Sequence, residues 1–365
     1  MPTSLQPQSS SFTFRDSFRE AAIGETRLLI VCHQPGRGRL DGHAQRLVSR
    51  AAEGMPWWHR IQIHETGTGA VDLTGVAAVV FWLADPVREL YPECFAEAAN
   101  IAQDARARGI RIVNAPEALS NTIKSVQAQL WAQAGLPCAP ATPFHSARQL
   151  QAIVQDATFP IIVRPDLLHA QQATFYCESP RDVDIAVFSE GVLPGVVIQF
   201  IDTRSKAADG RTGTIWTRFY HKKRALVFGD EVVPNHLFFS CHPICGLKNS
   251  TFGRYAGPGN RWAWLARLLP TDRATLAADN RFWQSPPEHV ETLRMAVRAL
   301  GLDFAAVDYS TFADGRPILW EANPYYDLTD PVQGVMPRER RLEARIGGFH
   351  RAMARFLGRL LEKAS

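Results

Sequence analysis

The chain has 365 residues, long enough for two or three packed units and too long for one small module. Apolar residues make up 46% and charged residues 21%, with a formal net charge of only +4, which excludes a disordered chain and gives no sign of a nucleic-acid polyelectrolyte. The strongest apolar run, Gly75 to Ala84, is about half of the ~20 residues a membrane helix needs.

Residues 1–25 are polar and lack an apolar signal core, so they are expected to be a flexible tail. Six cysteines without a CxxC pair fit a reducing compartment, and the cytoplasm is the expected location. Arg27 to His33 predicts a strand, Gly42 to Ala52 a helix, and Val76 to Leu83 a second strand before a long helix through Ala107. Gly109 ends that helix ahead of a strand over Ile110 to Val113, and the alternation predicts a small open α/β domain over 26–115. Gly36-Arg37-Gly38 lacks the third glycine of a dinucleotide loop and is expected to be an ordinary turn.

A new unit is expected from Pro116, with a helix from Glu117 to Ala134 closed by Gly135, a helix over Ala147 to Gln155, and a strand over Phe159 to Arg164. Val196 to Ile201 and Ala225 to Val233 predict further strands, the second turning at Gly229-Asp230. Residues 247 to 284 show no period and suggest an insertion. Ser285-Pro-Pro-Glu288 predicts a capping box opening a helix that Gly301 ends. Leu342, Ile346, Phe349, Met353, Phe356 and Leu360 share one face of a last helix, expected within 336–365 and docked on the core. His236, Cys241, His242 and Cys245 bunch within ten residues without zinc-site spacing and are expected to be ordinary side chains.

The most informative stretch is FAAVDYSTFADGRPILWEANP, residues 304 to 324. Asp314-Gly315 between apolar runs predicts a hairpin with a two-residue turn. That register pairs Ala313 with Arg316, Thr311 with Ile318 and Asp308 with Glu321, and puts Ile318 and Trp320 on the opposite face. Like charges directly opposite repel, so a cation is expected between the two acids. Asn323, two residues beyond Glu321, adds an amide oxygen on the same face. Two carboxylates and an amide without His or Cys suit a hard ion such as Mg²⁺, with Mn²⁺ as a substitute, and Mg²⁺ commonly completes its shell with phosphate oxygens.

Lys124, Arg164 at the end of Phe159-Pro-Ile-Ile-Val-Arg-Pro165, Val197-Ile-Gln-Phe-Ile201, Lys223-Arg-Ala-Leu-Val-Phe-Gly-Asp230 and the hairpin follow one another in an order that resembles the ATP-grasp superfamily of carboxylate–amine ligases. The branch it looks most like contains glutathione synthetases and ribosomal-protein glutamate ligases. The resemblance implies an ATP-grasp domain over 116–335, its lid lobe near 137–195 and its metal-binding lobe near 196–335. It implies that Lys124 and Arg164 contact nucleotide phosphates, that Gln199, Phe200 and Ile201 receive adenine, and that Arg224 lies near the transferred phosphate. Asp308, Glu321 and Asn323 would be the metal ligands, with Glu321 bridging two ions. The implied activity is ADP-forming ligation of a small carboxylic acid to an amine or amino acid, with ATP and Mg²⁺, without nucleic acid or membrane, and with a homodimer allowed. His236 is a candidate substrate contact. Two departures stand out: Arg replaces the usual Lys at 164, and Asp166 to Gln172 lacks the Gly and Ser of the family's lid loop, leaving His169 and Gln171 to cover phosphates. The alternatives are an ATP-binding protein that has lost catalysis, or an enzyme of this fold that phosphorylates a small molecule or modifies a peptide.

Overall fold

The computed structural model describes residues 25–33, 48, 51–52, 54–168, 173–187, 192–205, 214–246, 250, 270–326 and 339–362. Gly36-Arg37-Gly38, most of Gly42 to Ala52, His169, Gln171 and nearly all of the 1–25 tail lie outside them. Among the described residues no helix is long and apolar enough to cross a membrane.

Among the described residues, three four-stranded sheets organise a mixed α/β fold. The first is parallel, with β1 (Arg27–Cys32), β2 (Ile61–Glu65), β3 (Val76–Trp82) and β4 (Arg111–Val113) in the order β2-β1-β3-β4. Its central strands are apolar on successive residues because both faces are covered. Leu29, Val31, Val79 and Phe81 pack against Ala98, Ala102 and Ala105, the small-residue stripe of the helix Pro92–Ala107. Leu28, Ile30, Val80 and Trp82 pack against Phe349, Met353, Phe356 and Leu360 of the helix Glu339–Glu362. β2 goes beyond the sequence expectation: five residues with two short apolar positions carry too little periodicity to stand out.

The second sheet pairs β5 (Ala141–Phe144), β8 (Gly195–Gln199), β6 (Ile161–Pro165) and β7 (Phe175–Cys177) antiparallel around its own core of Phe144, Leu150, Ile161, Val163, Val183 and Val197. The third is antiparallel, with β9 (Tyr220–Phe228), β10 (Glu231–Ser240), β11 (Phe304–Thr311) and β12 (Pro317–Asn323) in the order β10-β9-β11-β12. One core cluster runs from the parallel sheet into this third sheet. Asn114, at φ 51°, fastens the two by donating to Phe304 O at 3.0 Å and accepting from Asp303 N at 2.7 Å.

Two expectations are corrected here. The stretch 247 to 284 is not wholly aperiodic, since Pro270–Gln284 is a helix against β10. The capping box does not form either. The helix begins at Val290 with His289 as its N-cap, because Glu288 is drawn to the Lys223 ammonium and Ser285 Oγ donates to Arg281 O at 2.6 Å.

Candidate active site

The β11–β12 hairpin reaches the expected acid pair by a different route. Phe312 N donates to Arg316 O and Gly315 N to Phe312 O, both at 2.9 Å, so the loop is the three residues 313–315, with Gly315 at φ 85°. Thr311 therefore faces Pro317 and Tyr309 faces Leu319, one residue out of the two-residue register. A bulge then adds Trp320 to β12, and beyond it Asp308 faces Glu321. The bulge also turns Trp320 out of its expected place on the opposite face: it lines a cavity with Glu321 and donates Nε1–H to Ser310 Oγ at 2.8 Å.

Across the sheet, His236 pairs with Arg224, Arg224 with Asp308, and Asp308 with Glu321, so one row crosses all four strands. The repulsion between the acids is relieved by protein cations. Asp308, 1% exposed, accepts from Arg224 Nε at 2.5 Å and Nη2 at 2.9 Å, and from Lys222 Nζ at 2.8 Å. Burial would raise its pKa, but the charges of Arg224 and Lys222 outweigh that and hold the carboxyl well below the usual range. Glu321 lies 3.3 Å from Lys124 Nζ and 3.7 Å from Arg164 Nη1. Burial pushes the Lys124 ammonium down in pKa, and Glu321 partly offsets this. Four basic side chains thus meet two carboxylates, leaving two positive charges in surplus.

Two residues beyond the sequence reading fix this geometry. Asp166 accepts from Ser125 N at 2.9 Å and Ser125 Oγ at 2.5 Å, capping from a distance the helix that starts at Lys124 and tying it to the end of β6, where Arg164 sits. Gln127 brackets Ala322, donating to its O and accepting from its N, both at 3.1 Å, which locks the same helix to β12 beside Glu321.

A cavity opens between the second and third sheets. Its walls combine apolar and aromatic groups, among them Ile162, Ile198, Phe200, Ile201 and Tyr220, with Lys124, Arg164, Lys222, Asp308 and Glu321. Phe200 is edge-on to Tyr176 at 5.0 Å and to Tyr220 at 5.9 Å. Of the segment expected to receive adenine, Phe200 and Ile201 line the cavity, whereas the Gln199 amide turns back to Thr158 O at 3.0 Å and Pro160 O at 3.2 Å. His236 also stays out of the lining and stacks on Phe238 at 3.8 Å. His221 does line it: Thr311 N donates to its Nε2 at 3.3 Å, and burial holds its pKa down at about 4.

The expected ligand set fits a hard cation only in part. Asn323 Oδ1 is buried without a hydrogen-bond partner and so suits an ion of this type, as does the carboxylate of Glu321, whose ion pairs to Lys124 and Arg164 are longer than those of Asp308. Asp308 already accepts three bonds from cationic donors. Lys222, which the sequence reading passed over, could have been found from the period of β9, which puts it on the face of Arg224.

The sequence matches no protein-family model and no curated protein. Solved structures similar in chain path include the ATP-grasp ligase PsnB complexed with a phosphomimetic variant of its minimal precursor, Mg and ADP, at 15% identity over 88% of this chain and 99% of that one, with a TM-score of 0.48. Another is the VanG D-Ala:D-Ser ligase from Enterococcus faecalis, at 12% identity over 89% and 100%, with a TM-score of 0.49.

Proposed function

We propose that the chain is an ATP-dependent, ADP-forming carboxylate–amine ligase of the ATP-grasp type. The observation that carries this reading is the cluster of Lys124, Arg164, Lys222 and Arg224 around Asp308 and Glu321, all of which but Arg224 line a cavity with an aromatic and apolar wall. A surplus of positive charge beside such a wall suits a planar base carrying a chain of phosphates.

In this reading the base lies against Phe200 and Ile201, and Lys124 and Arg164 take phosphate oxygens. Glu321 and Asn323 would hold Mg²⁺, which when bound neutralises phosphate oxygens. A carboxylate oxygen of the acid substrate attacks the γ-phosphorus, the bond to the β-phosphate oxygen breaks, and ADP leaves with that electron pair. The charge spread over the moving phosphoryl group is stabilised by Arg224 and its neighbouring cations. The amine then attacks the carbonyl carbon of the acyl phosphate, phosphate leaves, and the nitrogen gives up a proton. Cytoplasmic placement and a homodimer belong to the same proposal.

The test is incubation with Mg-ATP and pooled carboxylic acids and amines, with ADP and coupled products read by mass spectrometry. ADP that appears only when acid and amine are both present supports ligation. Nucleotide binding without turnover in any pool would overturn it.

A further inference from the structure

Resting on that reading, we infer that Asp166 is a positioning residue for the phosphate chain, holding the Lys124 ammonium and the Arg164 guanidinium in one fixed arrangement toward the cavity. The two cations come from separately packed parts of the fold. Lys124 opens the helix Lys124–Gln133, which Gln127 locks to β12, whereas Arg164 lies on β6, in a sheet with its own core. Both line the cavity, and their like charges oppose close approach. Burial lowers the Lys124 pKa most, and the neighbouring Arg164 charge lowers it further.

Asp166 joins the two parts with every polar group it has. Its N–H donates to Pro194 O at 2.9 Å, which seats it in the second sheet at the entry to β8. Its carbonyl accepts from Lys124 N at 3.3 Å, and its carboxylate accepts from Ser125 N at 2.9 Å and from Ser125 Oγ at 2.5 Å. The helix needs this acceptor. Ile123 stands at its N-cap without a side-chain oxygen, so the Ser125 N–H depends on a carboxylate 41 residues away, placed at the positive end of the helix dipole.

Lys124 is the residue before Ser125, and Arg164 lies two before Asp166, so a clamp between 125 and 166 sets where both cationic side chains begin. Among the described residues the buried carboxylate is bonded to neutral donors only, which leaves both cations to the ligand. Without the clamp the charges remain but their spacing does not, and a misplacement of about 1 Å in positioning groups can cost on the order of 10²-fold.

The test separates phosphate recognition from folding. The full-length chain and its Asp166→Ala, Ser125→Ala and Ser125→Thr variants are titrated calorimetrically, in Mg²⁺, with a non-hydrolysable ATP analogue and with adenosine, which has the base and sugar but no phosphate. Asp166→Ala is expected to weaken the analogue by about tenfold or more and adenosine by less than about twofold. Ser125→Ala loses only the hydroxyl bond and should weaken the analogue by a smaller factor, while Ser125→Thr keeps the hydroxyl and should match wild type. An unchanged analogue affinity in folded Asp166→Ala, or an equal loss for adenosine, would overturn the inference while leaving the ATP-dependent reading intact. A wild-type chain that does not bind the analogue overturns both. Should Asp166→Ala fail to fold, Ser125→Ala decides, by losing affinity for the analogue and not for adenosine.

Discussion

Replacing Asp308 by alanine tests whether the charged row is what holds the centre of the third sheet together. The carboxylate is 1% exposed, and its removal leaves Arg224 and Lys222, 20% and 17% exposed, without the anion they share. Removing one partner of a buried ion pair costs about 3–5 kcal/mol, because the charge left behind keeps its desolvation penalty. Both cations retain some water, which puts the expected loss near the lower figure, about 3 kcal/mol. For a chain of this length each kcal/mol moves the melting temperature by roughly 2 °C, so a drop of roughly 6 °C is expected in a calorimetric scan. The triple variant Asp308→Leu, Lys222→Met, Arg224→Met should recover most of it, since replacing a whole buried ionic cluster by apolar groups is often neutral or stabilising. An Asp308→Ala protein melting within about 1 °C of wild type would refute the reasoning, because the ion pairs would then be worth no more than exposed ones.

Glu321→Ala is expected to lower ADP formation by about 10²-fold or more while the chain stays folded, and near-normal ADP release in a coupled assay would count against the assignment. Gly195 sits where a side chain would strike the Phe144 ring and come within 2.7 Å of Val192 O, so Gly195→Ala should lower the urea midpoint by an amount corresponding to about 1–3 kcal/mol. An unchanged midpoint would mean that the strand shifts freely. His33 and His221 are both held near a pKa of 4 by burial, against an ordinary 6.5. The stability they contribute is complete above pH 6.5 and is lost as pH falls toward 4, by roughly 3 kcal/mol for each ring. Urea titrations at stepped pH should show this slope, and His221→Gln should roughly halve it, His33 keeping the rest.

How far the site could be read from the sequence is shown by its hairpin. Asp314-Gly315 marks a reversal, but a glycine at positive φ serves a two-residue turn and a three-residue loop alike. The offset this introduces is cancelled by the bulge at Trp320, so Asp308 meets Glu321 although the pairs nearer the loop differ. No local signal announces the bulge, because it answers to the packing of Trp320 against Ser310 and the cavity. The same limit applies at Glu288, whose helix-capping spacing yields to Lys223, a partner 65 residues away. Long periodic elements such as Pro92–Ala107 and Ala147–Gln155 are legible because their own apolar stripes decide their faces. Lys222-Lys223-Arg224 is the opposite case. Three consecutive cations resemble a solvated edge until the strand period sends Lys222 and Arg224 to Asp308, and Lys223 to Glu288 and Thr311.

The lobe that carries Arg164 has its own core, so its approach to Glu321 is not dictated by packing with the third sheet. An ion pair at 3.7 Å is too long for a good hydrogen bond. The firmer tie is Asp166 to Ser125, two hydrogen bonds that anchor the end of β6 to the helix of Lys124. Arg164 can therefore exchange Glu321, which keeps Lys124 beside it, for an anionic ligand without breaking a good hydrogen bond, whereas Arg224 leaves Asp308 only by breaking two charged hydrogen bonds. The two halves of the cluster divide the work accordingly: the Asp308 side is a fixed frame, and the Glu321 side is where a ligand is exchanged.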